Sequence, residues 1–136
     1  ESLFVPMAKW SMLLTGNYRC VLPHSVQSIH DAVHGDIDQA STMYAWVDSL
    51  AQKLGASPDD MVPFEKYANA ALSLMKPSSA ARAIDGGVSQ IERVDRLVQT
   101  IGQNLGMVND TVDTIVNTVD TRLEENRVPV RMSKTG

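Results

Sequence analysis

Apolar residues recur at spacings of three and four along almost the whole chain, and no run alternates apolar with polar residues. That repeat matches the helical turn and not the two-residue strand period, so the chain is expected to be all-α. Proline and glycine divide it. A first helix is expected from Leu3 to about Cys20, with Phe4, Met7, Trp10, Leu13 and Leu14 on one face and Pro6 in its first turn. Pro23 breaks the chain, and a short helix ends at Gly35. A long helix follows from Ile37 to Leu54, with Met43, Trp46, Val47, Leu50 and Ala51 in register and Gly55 placed as its C-terminal cap. The third long helix is expected to open on Ser57-Pro58-Asp59-Asp60 and to end near Met75. Serine caps, proline fits the first turn and the acids suit the helix dipole. Ser57→Ala is expected to cost about 1 kcal/mol in chemical denaturation. The fourth spans Val88 to Leu105 through Ile91, Val94, Val98 and Ile101, capped by Gly106. The last starts near Asn109 or Asp110 and carries Val112, Ile115, Val116, Val119 and Leu123. Five long helices and one or two short ones make a compact bundle over residues 1–127, with 128–136 as a flexible tail.

The 136 residues suit one domain. Aromatics are only 5% of the chain, so the core must be aliphatic, and the seven methionines read as part of it. A net charge of -4, with no basic run, argues against a nucleic-acid surface. No apolar run reaches the roughly 18–20 residues of a membrane span, and no signal peptide is visible. The single cysteine, Cys20, excludes an intrachain disulfide and suits a reducing, cytoplasmic setting. The first residue is Glu1, which favours reading the chain as a piece of something longer.

Few residues offer chemistry. No glycine-rich phosphate loop is present. His30 and His34 stand at i and i+4, a spacing zinc can use, but Asp31 replaces the usual glutamate and no third ligand is near, so two surface histidines are the plainer reading. Cys20 reads as a small packed hydrophobe. Lys9 and Asn17 are polar positions eight residues apart on an apolar helix, close to two full turns, so they point the same way, toward either solvent or a polar cleft. The stretch KPSSAARAIDGGVSQIE, Lys76 to Glu92, is crowded with polar residues for a simple linker.

From Lys9 to about Arg127 the order of these features resembles the C-terminal helical domain of the ketopantoate reductase family. That family carries a lysine followed by asparagines four and eight residues on. Here KWSMLLTGN aligns Lys9 with the lysine and Asn17 with the second asparagine, and Leu13 stands in place of the first. The family then has a Ser-Ser turn, a short helix with an aspartate, and a helix opening on an acidic motif. Ser79 matches the second serine; Asp85 is out of register with the family aspartate, whose place falls on Ala83. Counting back from LGMVND places Gln90 where the family has glutamate, and Glu92 takes that place only if the gap in the turn lies elsewhere.

The resemblance implies a fold like the C-terminal domain of 6-phosphogluconate dehydrogenase, and a parent enzyme that reduces a small 2-keto acid with NADPH. The Rossmann half that holds the cofactor is absent from this chain, which alone is expected to be inactive. Lys9 would be the general acid, Asn17 and Ser79 would bind substrate, Gln90 would contact the cofactor, no metal would be required, and a homodimer would form. The rival reading is a helical dimerisation or interaction module without catalysis, which Leu13 and Gln90 favour by departing from the family pattern.

Overall fold

The computed structural model describes the backbone of residues 6–135 and the side chains of residues 6–128. Seven α-helices occur among them: α1 Trp10–Gly16, α2 Ile29–His34, α3 Ile37–Lys53, α4 Phe64–Ala71, α5 Ser79–Asp85, α6 Val94–Asn104 and α7 Asp110–Thr135. The protein is all-α; among the described residues there is no strand, only an isolated bridge between Val21 and Val26. No helix among them is long and apolar enough to cross a membrane.

The helix α1 is short and central. It packs chiefly on α3 and also meets α2 and α6, while α6 lies along α7. Leu14, Met43, Val47, Leu50, Ile84, Val98, Val112 and Val119 are fully or almost fully buried, the aliphatic core that the scarcity of aromatics requires. A smaller cluster of Val33, Ala68 and Ala71 joins α2 to α4.

Three long segments differ from their periodicity. The first expected helix begins at residues outside the described range, and its remainder breaks into a 3-10 turn at Met7–Lys9, α1, and another 3-10 turn at Tyr18–Cys20. Asn17, at φ -114 and ψ -67, is where the α-helical ladder gives way. The third is not one helix. Ser57 does cap, accepting from the Asp59 N–H at 3.3 Å, but it caps a single 3-10 turn, Pro58–Asp60. Met61 is then extended at ψ 143, and α4 starts only after Pro63. Proline disfavours helical backbone in the residue before it, here Val62.

The fourth loses its first turn and a half. Gly87 at φ 105 ends α5, and residues 88–93 lie outside any helix before α6 begins at Val94. Their carbonyls are taken by distant side chains rather than by a helical ladder. Asn126 donates to Val88 at 2.6 Å, Arg127 to Ser89 at 3.0 Å and Tyr18 to Glu92 at 2.6 Å. Of the five helices expected to be long, only α3, α6 and α7 exceed ten residues. In the stretch read as a tail, the backbone of α7 runs on to Thr135.

One buried ionic fork locks α6 to α7. Arg93 donates to both oxygens of Asp95, at 2.9 and 3.0 Å, and to Asp120 at 2.7 Å. Asp95 is wholly buried. Burial works against the Arg93 charge, but the two carboxylates outweigh it and hold the guanidinium above its usual pKa. Asp95→Asn keeps the shape and removes one counter-charge from this fork. It should cost about 3 kcal/mol in urea unfolding; a loss below about 0.5 kcal/mol, the size of an ordinary surface substitution, would show that Asp120 alone suffices.

Candidate functional site

A cavity of about 1130 Å³ opens beside the C-terminal half of α1. Pocket volumes for small molecules run from about 300 to 1,000 Å³, so this one has room for more than a single small acid. Lys9, Met12, Leu13, Gly16 and Asn17 form one wall. Tyr67 of α4, the linker from Ser73 to Ser78, Ser79 and Arg82 of α5, and Glu92 complete it. Lys9 and Asn17, at the two ends of α1, therefore both border the cleft, Lys9 exposed and Asn17 half-buried.

Tyr67 is seated by an absence. A Cβ built on Gly16 would lie 1.6 Å from the Tyr67 hydroxyl and 2.8 Å from its Cζ. Only glycine lets the phenol lie across α1. Tyr67 stacks on Tyr44 with ring centroids 5.9 Å apart. Its hydroxyl reaches the Met12 carbonyl only at 3.4 Å, longer than an ordinary O–H···O bond. Burial, with a smaller contribution from Cys20, pushes the phenol up to about 12, so it remains a proton-bearing donor at neutral pH.

The two adjacent serines divide their work. Ser78 is buried; its hydroxyl donates to the Asn17 carbonyl at 2.8 Å and accepts from the Ala81 N–H at 3.2 Å. It thus caps α5 and ties that cap to the end of α1. Ser79, one residue on, is exposed and lines the cavity. Glu92 is placed by Tyr18, whose hydroxyl donates to the Glu92 carbonyl and accepts from the Val94 N–H at 2.9 Å. Asp85 belongs to neither role: it pairs with Arg122 at 3.4 Å, away from the cavity lining.

The cavity is positive. Lys9, Lys76 and Arg82 line it against one carboxylate, Glu92, and none of the four is in an ion pair among the described residues. The Asn17 side-chain oxygen is buried without a hydrogen-bond partner among the described residues. Such an atom is costly unless a ligand or water supplies a donor.

Three of the four residues singled out from sequence, Lys9, Asn17 and Ser79, share this cavity, although they come from separate segments. Gln90 does not line it. It is exposed on the segment whose Glu92, two residues on, is drawn to the cavity by the Tyr18 hydrogen bond. Leu13 lines the cavity where the resemblance expects an asparagine. Periodicity did not assign roles to Tyr67, Lys76 or Arg82; the local signals were the polar crowding from Lys76 to Glu92 and Gly16, a helix-disfavouring residue inside a helical pattern.

The remaining candidates have structural partners. Cys20 is fully buried, its thiol lies 3.4 Å from the Gly16 carbonyl, and burial pushes its pKa up, which makes it a poor nucleophile. His30 and His34 lie side by side with centroids 5.3 Å apart, but His34 Nε2 is bonded to the Ala68 carbonyl at 2.7 Å and His30 Nδ1 to Asp31 at 3.0 Å.

Comparison with protein-family models, with curated proteins and with solved structures yields no match to this chain. The site is therefore read from its own geometry and from the sequence resemblance.

Gly16→Ala tests how the cavity wall is built. The added methyl must displace Tyr67, and we expect a loss of about 1–3 kcal/mol despite alanine's better helix propensity. The same change in a Tyr67→Phe background should cost less, since the nearest clash is with the hydroxyl. A thermal-denaturation double-mutant cycle showing simple additivity would refute this contact.

Proposed function

We propose that this chain is the helical substrate-binding domain of an NADPH-dependent 2-keto acid reductase similar to ketopantoate reductase, with the fold of the 6-phosphogluconate dehydrogenase C-terminal domain. The observation that supports it is the convergence of Lys9, Asn17 and Ser79 in one cavity. Lys9 and Asn17 flank the same short helix, so the part of this convergence that helical spacing alone does not supply is Ser79, which comes from α5.

The residues suit the reaction. Bound NADPH would supply a hydride to the keto carbon; this chain has no glycine-rich loop for a dinucleotide, so a separate nucleotide-binding domain would hold it. As the carbonyl π bond breaks, negative charge gathers on its oxygen. The Lys9 ammonium stabilises that charge and gives the oxygen a proton, leaving a neutral alcohol and a neutral amine that solvent reprotonates. Asn17 lines the cavity and would orient the substrate through its side-chain amide. Ser79 donates to the substrate carboxylate. Gln90 lies outside the cavity lining, and in this reading Glu92, which lines it, would take the contact to the cofactor or its neighbouring domain. Leu74 and Met75 line the cavity and are 41% and 64% exposed, an apolar rim of the kind a covering domain buries.

The rival reading, a non-catalytic dimerisation module, draws on Leu13, which puts an apolar side chain where the family has an amide. It calls for self-association in sedimentation and for indifference to 2-keto acids.

Titration of the chain with 2-oxopantoate and 2-oxoisovalerate, followed by amide NMR shifts, separates the two. We expect shifts centred on Lys9, Asn17 and Ser79, and a binding loss of about tenfold in Ser79→Ala, as for one charge-assisted hydrogen bond. In a protein that joins this domain to its nucleotide-binding partner, Lys9→Ala should lower NADPH-dependent reduction by about 10²–10⁴. Affinities untouched by both substitutions, or a wild-type rate in Lys9→Ala, would remove the proposal.

A further inference from the structure

We infer that the ligand of this cavity is a dianion, and that Lys76 and Arg82 supply the charge its second carboxylate neutralises. The inference deepens the 2-keto acid reading and rests on it for the keto group alone.

Charge distribution carries the argument. The chain holds 12 basic and 16 acidic residues, yet three of the basic ones and only one acidic residue line this cavity. Lys9, Lys76 and Arg82 against Glu92 leave a formal +2 in a protein of net charge -4. A monocarboxylate would leave half of that excess uncompensated; a dicarboxylate balances it. All four side chains are exposed at the cavity, where an excess of one sign draws oppositely charged ligands in a salt-dependent way.

Neither Lys76 nor Arg82 is spent elsewhere. No hydrogen bond or ion pair engages either side chain among the described residues. Their backbones are fixed. The Lys76 carbonyl accepts from the Ile29 N–H at 3.0 Å, and two residues earlier Leu74 accepts from His30 at 2.9 Å. Arg82 stands on α5, whose first turn is clamped by Ser78. The two cations lie three residues to either side of Ser79, so the serine assigned to an anion has a positive charge before and after it in the chain.

Carboxylate fits better than phosphate. Backbone phosphate cradles need runs of glycine or successive free N–H groups. The one glycine in this lining, Gly16, is covered by Tyr67, and Pro77 offers no N–H at all. An arginine fork with a lysine and a hydroxyl suits carboxylate and phosphate alike, so the missing backbone cradle is what favours carboxylate.

The test uses acids of equal length. 2-Oxoglutarate, 2-oxovalerate, glutarate and inorganic phosphate are titrated into the chain by calorimetry at low salt, and again into Lys76→Ala/Arg82→Ala, with circular dichroism to confirm that the variant is folded. We expect 2-oxoglutarate to bind about tenfold or more tighter than 2-oxovalerate, an advantage of the size one charge pair confers. That advantage should fall to less than about threefold in the double variant and shrink with added salt. Equal affinities for the two oxo acids, an advantage that survives the double substitution, or phosphate bound in preference to 2-oxoglutarate would each overturn the inference. Glutarate binding as tightly as 2-oxoglutarate would uphold the dianion and sink the keto acid reading. 2-Oxovalerate matching 2-oxoglutarate, with glutarate weak, would do the reverse.

Discussion

A seven-residue helix cannot hold itself together in water, and this protein places one, α1, at its centre. Its ordering must come from neighbours. The Ser11 hydroxyl donates to Asp48 of α3, Leu14 is wholly buried, and the helix end at Asn17 is held by the Ser78 hydroxyl from a segment 61 residues away in sequence. Just beyond, Tyr18 answers an N–H and a carbonyl of the entry to α6. Two of these contacts, with the glycine of α1, also position something in the cavity. Ser78 sets Ser79, Tyr18 sets Glu92, and Gly16 admits Tyr67. Stability and site geometry are thus the same set of interactions, and the cavity wall is as firm as the packing of α1.

The division of polar groups around the cavity follows from that economy. Buried polar atoms must be satisfied, and most here are: Arg122 gives its guanidinium to the Leu22 and Ser25 carbonyls at 2.6 and 2.7 Å, and Asn126 serves Ile84 at 2.9 Å as well as Val88. Against that background the uncommitted groups stand out. Of the two buried side-chain oxygens without a partner among the described residues, Thr15 Oγ1 lies outside the cavity lining, while Asn17 lines it together with the weakly engaged Tyr67 and the cations Lys9, Lys76 and Arg82.

Helices announced by local rules were legible in the sequence. Gly55 and Gly106, with φ 104 and 71, end α3 and α6 as their positions suggested, and Ser28 and Asp36 cap α2 and α3 through side chains that favour such sites. Failures came where long-range contacts overruled a periodic pattern. Val88 and Ile91 keep helical spacing with Val94, yet the backbone carbonyls of Val88, Ser89 and Glu92 are claimed by Asn126, Arg127 and Tyr18, none of them nearby in sequence. The same holds for the site. Lys9, Asn17 and Ser79 could be picked out by order and spacing. The sequence left Gln90 and Glu92 open, depending on where the gap in the turn falls; that Glu92 lines the cavity and Gln90 does not goes with a hydrogen bond to the Glu92 carbonyl from a tyrosine more than seventy residues away. Lys76 and Arg82 fall in the stretch whose crowding of polar residues stood out, but their place in one cavity lining was not legible there.

The second half of α7 lies away from the cavity but governs its edge. Arg122 braces the 21–26 turn, and Asn126 and Arg127 satisfy the carbonyls between α5 and α6 that no helix would otherwise pair. The link between α5 and α6 is thus held from two sides: α7 pairs its start at Val88 and Ser89, and Tyr18 pairs its end at Glu92, so a segment without a helical ladder of its own is pinned at both ends before it reaches the cavity.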